Sequence, residues 1–535
     1  MKPRPDKRLD DVAPVGGDSS SASARPTPGR ARTRPSFPFL NTEVAALAGL
    51  ASVAALCALA VVGLPAALAT ILAFATFLPY AVARAEGRVV DFGDPIYAVS
   101  GIYLLIFALR TYYILAEPVQ MVYFSARPYR DALSGSLASA LLGYVILVVA
   151  YYSGLGPWLA SHIRPPVSSF SAQRPRLRVV SIFVIGLIPQ AIVLVVVGRS
   201  FNSQADSFSF SGTENLTLQL TLFIFYGLTA ASLLAARRRG AARDWRSVAL
   251  VGGMLVVIAL AAFAYAYKAA LIFAVAIVAL AAHYRYRPLS PRAVAVAVGL
   301  LVFVIFPVVN AERALINEGR LSRGGIVGRI EAGTIGSVGR LVSSGPRGYL
   351  DASLGGLLRR SNGVDSLALI ERYTPEVRPY QHGVTYVALP AEAYVPRALW
   401  PGKPIPLSSD FARLYGGRPG IQTNFSITNF GDLYMNFGIW GILVGAAFIG
   451  VIYRLIYETF VVRTNASDSG LLIYIGIFLT MIPGVEQELM PVFSQILKAL
   501  PILFVVAFVL TRNVRVPSLR RTTATPNDRY EQSSG

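Results

Sequence analysis

Between residues 44 and 511 the chain reads as nearly unbroken apolar runs separated by polar stretches, and the periodicity of a half-buried strand is nowhere sustained. A helix needs about 20 apolar residues to cross the hydrocarbon core of a bilayer, or fewer where neighbouring helices shield its ends. Twelve runs meet that requirement, near 44–63, 65–84, 95–115, 132–152, 179–198, 216–235, 247–266, 269–283, 293–309, 433–457, 470–484 and 496–511, the eighth and eleventh being short. The first run has no small-residue cleavage site at signal-peptide distance, so it reads as a span and not as a removed leader. The expected fold class is therefore all-α, a polytopic membrane protein with about 12 transmembrane helices.

The polar stretches orient those spans. "RPRLR" before the fifth run, "ARRRGAARDWR" after the sixth and "YRYRPLSPR" after the eighth fall on one side if the spans alternate, while "AEPVQMVYFSA" and "FNSQADSFSFSGTEN" on the other side are almost free of positive charge. Excess arginine and lysine mark the cytoplasmic side, which places both termini inside. The same alternation puts the connection between runs nine and ten, residues 310–430, outside. It holds fourteen Lys plus Arg against nine Asp plus Glu. Long loops escape the positive-inside rule, so topology does not account for that basic character, and an ordered loop of this length is usually functional. Within it, "SNGVDSLALIERY" carries an Asn/Asp cap signal ahead of helical apolar spacing, and "GVTYVALPAEAYV" reads as a second amphipathic segment interrupted by Pro390. The organisation is then a tail at 1–42, spans at 43–309, the loop at 310–430, spans at 431–511 and a tail at 512–535. The tails are polar and lack hydrophobic periodicity, as disordered segments do.

Composition narrows the chemistry. The 535 residues are 54% hydrophobic and 15% charged, with a mean hydropathy of +0.53, too apolar for a soluble globular chain. The net charge of +20 is distributed between apolar runs instead of forming one surface, which argues for topology signals over nucleic-acid binding. A single cysteine, Cys57, excludes a disulfide framework, and His162, His283 and His382 are too far apart to write a metal motif, so no cofactor is expected.

What remains is charge at the outer face. In "YVPRALWPGKP" (394–404) three prolines stiffen the backbone around Arg397 and Lys403, and Tyr394 and Trp400 are aromatics suited to the membrane boundary. Arg110, Lys268 and Arg313 lie near the same level, and the loop adds Arg359, Arg360, Arg372 and Arg378. Several fixed cations at one membrane level suit a polyanion, and guanidinium binds phosphate oxygens in bidentate fashion. The acids Glu392, Asp410, Asp432, Glu486 and Glu488 share that face with His382. Glu392, His382 and Asp410 are the candidates for a general base. Gly441 and Gly445 form a GxxxG that would admit a neighbouring helix.

The order "RRSNGVDSLALIERYTP", "HGVTY", "YVPRALWPGKP", "GDLYMNFGIWGILVGAAFIG" resembles the oligosaccharide repeat-unit polymerases, the O-antigen polymerase family, over about residues 300–510. The resemblance implies a GT-C-like membrane glycosyltransferase in surface-polysaccharide synthesis. Such an enzyme joins undecaprenyl-diphosphate-linked oligosaccharides on the outer face of the bacterial cytoplasmic membrane, with a chain-length regulator and a flippase as partners. The family's PR-x-LWP-x-KP-like segment falls on Pro396, Arg397, Leu399, Trp400, Pro401, Lys403 and Pro404, its basic position on Arg359 and Arg360, and its middle block on Gly383 and Tyr386. An Arg-x10-Gly spacing discussed for the family occurs at Arg372–Gly383 and equally at Arg313–Gly324. A ligase that transfers the finished glycan needs the same clamp and topology, and a flippase of lipid-linked oligosaccharide is the alternative from another class.

Overall fold

The computed structural model describes residues 42–170, 174–192, 220–237, 244–264, 268–308, 310, 326–395, 399–400, 407–418 and 425–512. The two tails lie outside that set. Every regular element among the described residues is helical. Among the described residues ten helices are long and apolar enough to cross a membrane: α1 (Thr42–Val61), α2 (Leu64–Ala85), α3 (Pro95–Ala116), α4 (Arg130–Tyr152), α5 (Pro175–Ile192), α7 (Trp245–Ala262), α9 (Pro291–Val308), α12 (Thr428–Val462), α13 (Asp468–Glu486) and α14 (Leu489–Thr511). The sixth and eighth apolar runs form the shorter helices α6 (Phe223–Ala235) and α8 (Ala269–Arg285). Between α9 and α12 lie α10 (Ile326–Arg360) and α11 (Gly363–Tyr373). α11 begins where the cap signal places it, although the Asn362 side chain makes no capping bond. Pro390 splits the following segment into Val384–Val387 and Leu389–Tyr394. α10 is a helix that the hydropathy pattern does not announce, and it breaks at Gly345 (φ 68), just before Pro346.

Two apolar cores form. One gathers α2, α3, α4, α11 and most of α12; the other gathers α5 to α8, α13, α14 and the end of α12. The most extensive packing is α12 against α4. Two glycines permit it. A Cβ on Gly450 would collide with the Leu147 carbonyl oxygen, and one on Gly143 would lie 2.7 Å from Ile442 and 2.8 Å from the Phe430 ring.

That second pair reveals the shape of α12. It breaks at Phe437 and Gly438, the latter at φ 62, where only glycine is unstrained. The first arm, Thr428 to Phe437, folds back along the second, so Phe430 and Ile442 meet one residue of α4. Gly441 and Gly445 both face Leu433 of that first arm. The GxxxG therefore packs the element on itself, not on a neighbouring helix, because the break converts one long helix into two facing ones.

At the end of the bundle away from the long loop, polar bonds tie the two cores. Asp91, before α3, accepts from Tyr457, from the Gly93 amide (2.8 Å) and from His283 Nε2 (2.5 Å). Leu289 N–H donates to His283 Nδ1 at 2.8 Å, which leaves the imidazole proton on Nε2. Asp468 holds both Arg237 and Arg285, joining α6, α8 and α13.

Candidate functional site

The opposite end is where residues 117–129, the long loop and residues 486–488 converge. Ala126 N–H bonds Gly416 O at 2.9 Å, and Ser426 Oγ bonds Glu486 O at 2.9 Å. α11 is fixed there by a buried ion pair. Arg110 of α3 grips Asp365 through Nε (2.8 Å) and Nη2 (3.0 Å) and donates from Nη1 to Leu358 O (3.1 Å). Tyr129 adds a third bond to the carboxylate at 2.5 Å. Arg110 is 1% exposed and Asp365 0%. Its donors face protein acceptors, so Arg110 serves α11 and stands apart from any exposed cationic cluster.

The centre of this end is a hydrogen-bonded block between the first arm of α12 and residues 381–386. Gln381 and His382 donate their amides to Met435 O (3.0 Å) and Asn436 O (3.1 Å), carbonyls released where the arm ends. Asn436 Oδ1 accepts from Gly383 N–H (3.1 Å) and Thr385 Oγ1 (3.3 Å), and its Nδ2 donates to Asp432 Oδ1 (3.2 Å). Tyr386 and the Leu489 amide both donate to Asp432 Oδ2, at 3.1 and 2.9 Å. His382 (φ 49) and Gly383 (φ 77) make the tight turn that brings these groups round. His382 is exposed on its rim, with its ring 6.4 Å from that of Tyr380.

Two further carboxyls border the block. Glu488 accepts from the Ser408 amide at 2.8 Å; burial, joined by the neighbouring Asp432 carboxylate, pushes it up to about 7 against the opposing effect of the Ser408 and Leu407 amides. Glu371 of α11 accepts from Ser136 Oγ at 2.9 Å, and burial pushes it up to about 7 against the hydroxyls of Ser139 and Ser136. Its Oε1 is buried without a hydrogen-bond partner among the described residues. Tyr386 is raised by burial and by Asp432. At neutral pH both glutamates are thus poised between acid and base.

The remaining candidates are spread around this centre. Arg359 and Arg360 are exposed in the last turn of α10; Arg359 bonds Gly355 O at 3.3 Å, and Arg360 lies in the field of Glu486. Arg372 pairs with Asp131 at 3.1 Å and covers the Tyr373 ring at 5.5 Å. Arg378 is half-buried, close enough to Tyr415 to act on its hydroxyl. Asp410 is exposed and paired with Arg413 at 2.9 Å. Tyr394 reaches Leu497 O at 3.0 Å, and Trp400 is half-buried. Arg313, Arg397 and Lys403 lie outside the described residues, as does the side chain of Glu392. Among the described residues no three His, Cys, Asp or Glu side chains converge as a metal site requires.

Sequence reasoning passed over Glu371 and Asn436. The signal for Glu371 was the Ser136 and Ser139 pair, two hydroxyls three residues apart in an apolar run, on one helix face. For Asn436 it was the i, i+4 spacing from Asp432. In comparisons with known proteins, no family model, curated protein or solved structure matches the chain.

Proposed function

We propose that this chain is a membrane glycosyltransferase that joins lipid-diphosphate-linked oligosaccharide repeat units at the loop end of its bundle, with that end outside the cytoplasmic membrane and both termini inside. The observation that carries the reading is the block just described. The "HGVTY" and "GDLYMNFG" segments, about 50 residues apart and both part of the family resemblance, are joined by hydrogen bonds around the buried Asp432. Two residues that flank the basic segment in sequence bond the bundle, Tyr394 to Leu497 O of α14 and the Ser408 amide to Glu488.

In this reading Arg397 and Lys403 take the diphosphate. As the bond from the anomeric carbon to the diphosphate oxygen breaks, the leaving group gains negative charge, and cations fixed in a water-poor site stabilise it. The acceptor sugar hydroxyl forms the new bond to that carbon and gives its proton to a general base. Of the two sequence candidates whose side chains are described, His382 is favoured over Asp410: it is exposed on the rim of the block, whereas Asp410 is paired with Arg413.

Lipid-linked glycans from cells lacking the protein test the proposal. Mass spectrometry with outside-only enzymatic digestion should find single repeat units facing outward and no long chains. Long polymer remaining on its carrier lipid would favour a ligase, and single units trapped on the inner face a flippase. Arg397→Ala, Lys403→Ala and His382→Ala, expressed and inserted normally, should each leave the deletion phenotype uncorrected. Normal polymer from any one of them removes that residue from the mechanism.

A further inference from the structure

A tyrosine from the long loop bonds a spanning helix at a point where that helix has a carbonyl to spare. Tyr394 donates to Leu497 O at 3.0 Å. In an α-helix that carbonyl would accept from the amide four residues on, and here that residue is Pro501, inside α14, which has no N–H. At α9, Tyr349 of α10 donates to Phe303 O at 3.0 Å, within the π-helical turn Leu301–Ile305. An unsatisfied carbonyl is costly in hydrocarbon, so Tyr394 meets a need that Pro501 creates.

The positions of these acceptors give a depth. Leu497 is eight residues past the start of α14 at Leu489, which at 1.5 Å per residue is about 12 Å along the helix. Tyr394 therefore reaches well below the level at which α14 begins. The segment leading to it descends from the other side. Gly383 abuts the Phe437 ring at the break in α12, and Leu389–Tyr394 then packs along α14. Phe448 and Phe493, with ring centroids 6.0 Å apart, join α12 and α14 beside it.

Along this descent the segment exposes its apolar side chains. Val384 is 71% exposed and Val387 84%, Leu399 beyond the segment is 79% exposed, and Trp440 and Val444 of α12, on the arm that follows the Phe437 that Gly383 abuts, are 71% and 70% exposed. Apolar side chains bared beside spanning helices whose own apolar residues are bared fit a hydrocarbon environment and not water. We propose that residues 384–395 form a re-entrant element seated in the bilayer leaflet on the loop side, pinned by Tyr394 to the proline-freed carbonyl of α14 and facing lipid acyl chains through Val384 and Val387, with the exposed Leu399 in the same environment. Backbone of this kind is tolerated at membrane depth where it is covered by protein on its other side, as α14 covers it here.

The experiment uses the full chain in phospholipid nanodiscs. In a Cys57→Ser background, which removes the one native cysteine, single cysteines at Val387, Leu399 and, as an aqueous control, the exposed Glu376 carry an environment-sensitive fluorophore. Lipids brominated on their acyl chains should quench the labels at 387 and 399 several-fold more than the label at 376, and aqueous iodide should show the reverse order. Equal iodide quenching at all three positions would overturn the proposal. Tyr394→Phe should raise iodide access at 387 at least two-fold in protein that remains monodisperse; unchanged access would show that the bond to Leu497 does not hold the element down. The outcome is independent of the proposed transferase activity, since no substrate is present.

Discussion

Replacing Asp365 by asparagine tests how α11 is held. The substitution keeps size and shape but removes the charge facing Arg110, which is 1% exposed. Asp365 accepts bonds from Arg110 Nε, Arg110 Nη2 and Tyr129. An asparagine offers one oxygen and turns an N–H towards a donor, so at least one charge-assisted bond, worth about 1.5–3 kcal/mol, is lost. The guanidinium is also left buried and uncompensated, and breaking such pairs from one side costs about 3–5 kcal/mol in total. The double variant Arg110→Leu/Asp365→Leu removes both charges and restores apolar packing, so it should lie within about 2 kcal/mol of the parent, the residue being the unpaired Tyr129 hydroxyl. Equilibrium unfolding in mixed micelles or by steric trapping in bicelles measures both differences. An Asp365→Asn variant within 1 kcal/mol of the parent, or a double variant as damaged as the single, would refute the idea that a desolvated pair anchors α11.

Glu371→Gln should stabilise the protein in a pH-dependent way. Burial raises this carboxyl from 4.5 to about 7, so the folded state resists its ionisation: the penalty is absent below about 4.5, grows as pH rises through the interval and is complete above about 7. The glutamine variant should match the parent at pH 4 and exceed it by about 3 kcal/mol at pH 8, and a pH-independent difference in unfolding midpoint would contradict this. Gly450→Ala drives a Cβ into the Leu147 carbonyl, a backbone atom that cannot move aside, and should cost about 1–3 kcal/mol in the same unfolding assay. Gly252→Ala on α7, which meets nothing within 4 Å, should be neutral or slightly stabilising, and equal losses at the two glycines would refute the close-approach argument.

Hydropathy determined most of the helix inventory from sequence alone, because a span must be apolar over its whole length whatever its neighbours are. Each of the twelve runs coincides with an apolar helix, ten of them long enough to cross and two shorter. The division at Pro390 was legible too, since prolines act locally, and α11 begins at the expected position although Asn362 forms no capping bond. Tertiary structure alone decided where polar groups go. Sequence places Arg110 at the end of a span, a site from which a side chain ordinarily reaches water, and only the fold sets Asp365, 255 positions further along the chain, against it. Gly441 and Gly445 signal close approach, but the partner they admit depends on the break at Gly438. Glu371 and Asn436 look like ordinary polar residues of amphipathic segments until α4 and residues 383–386 are packed on them. The carbonyl of Leu497 leaves no mark of its own in a sequence; Pro501 does, but which tyrosine answers it is fixed by how the loop returns to the bundle. Apolar length is a local property of the chain, whereas the partner of a buried polar group is a property of packing between segments far apart in it.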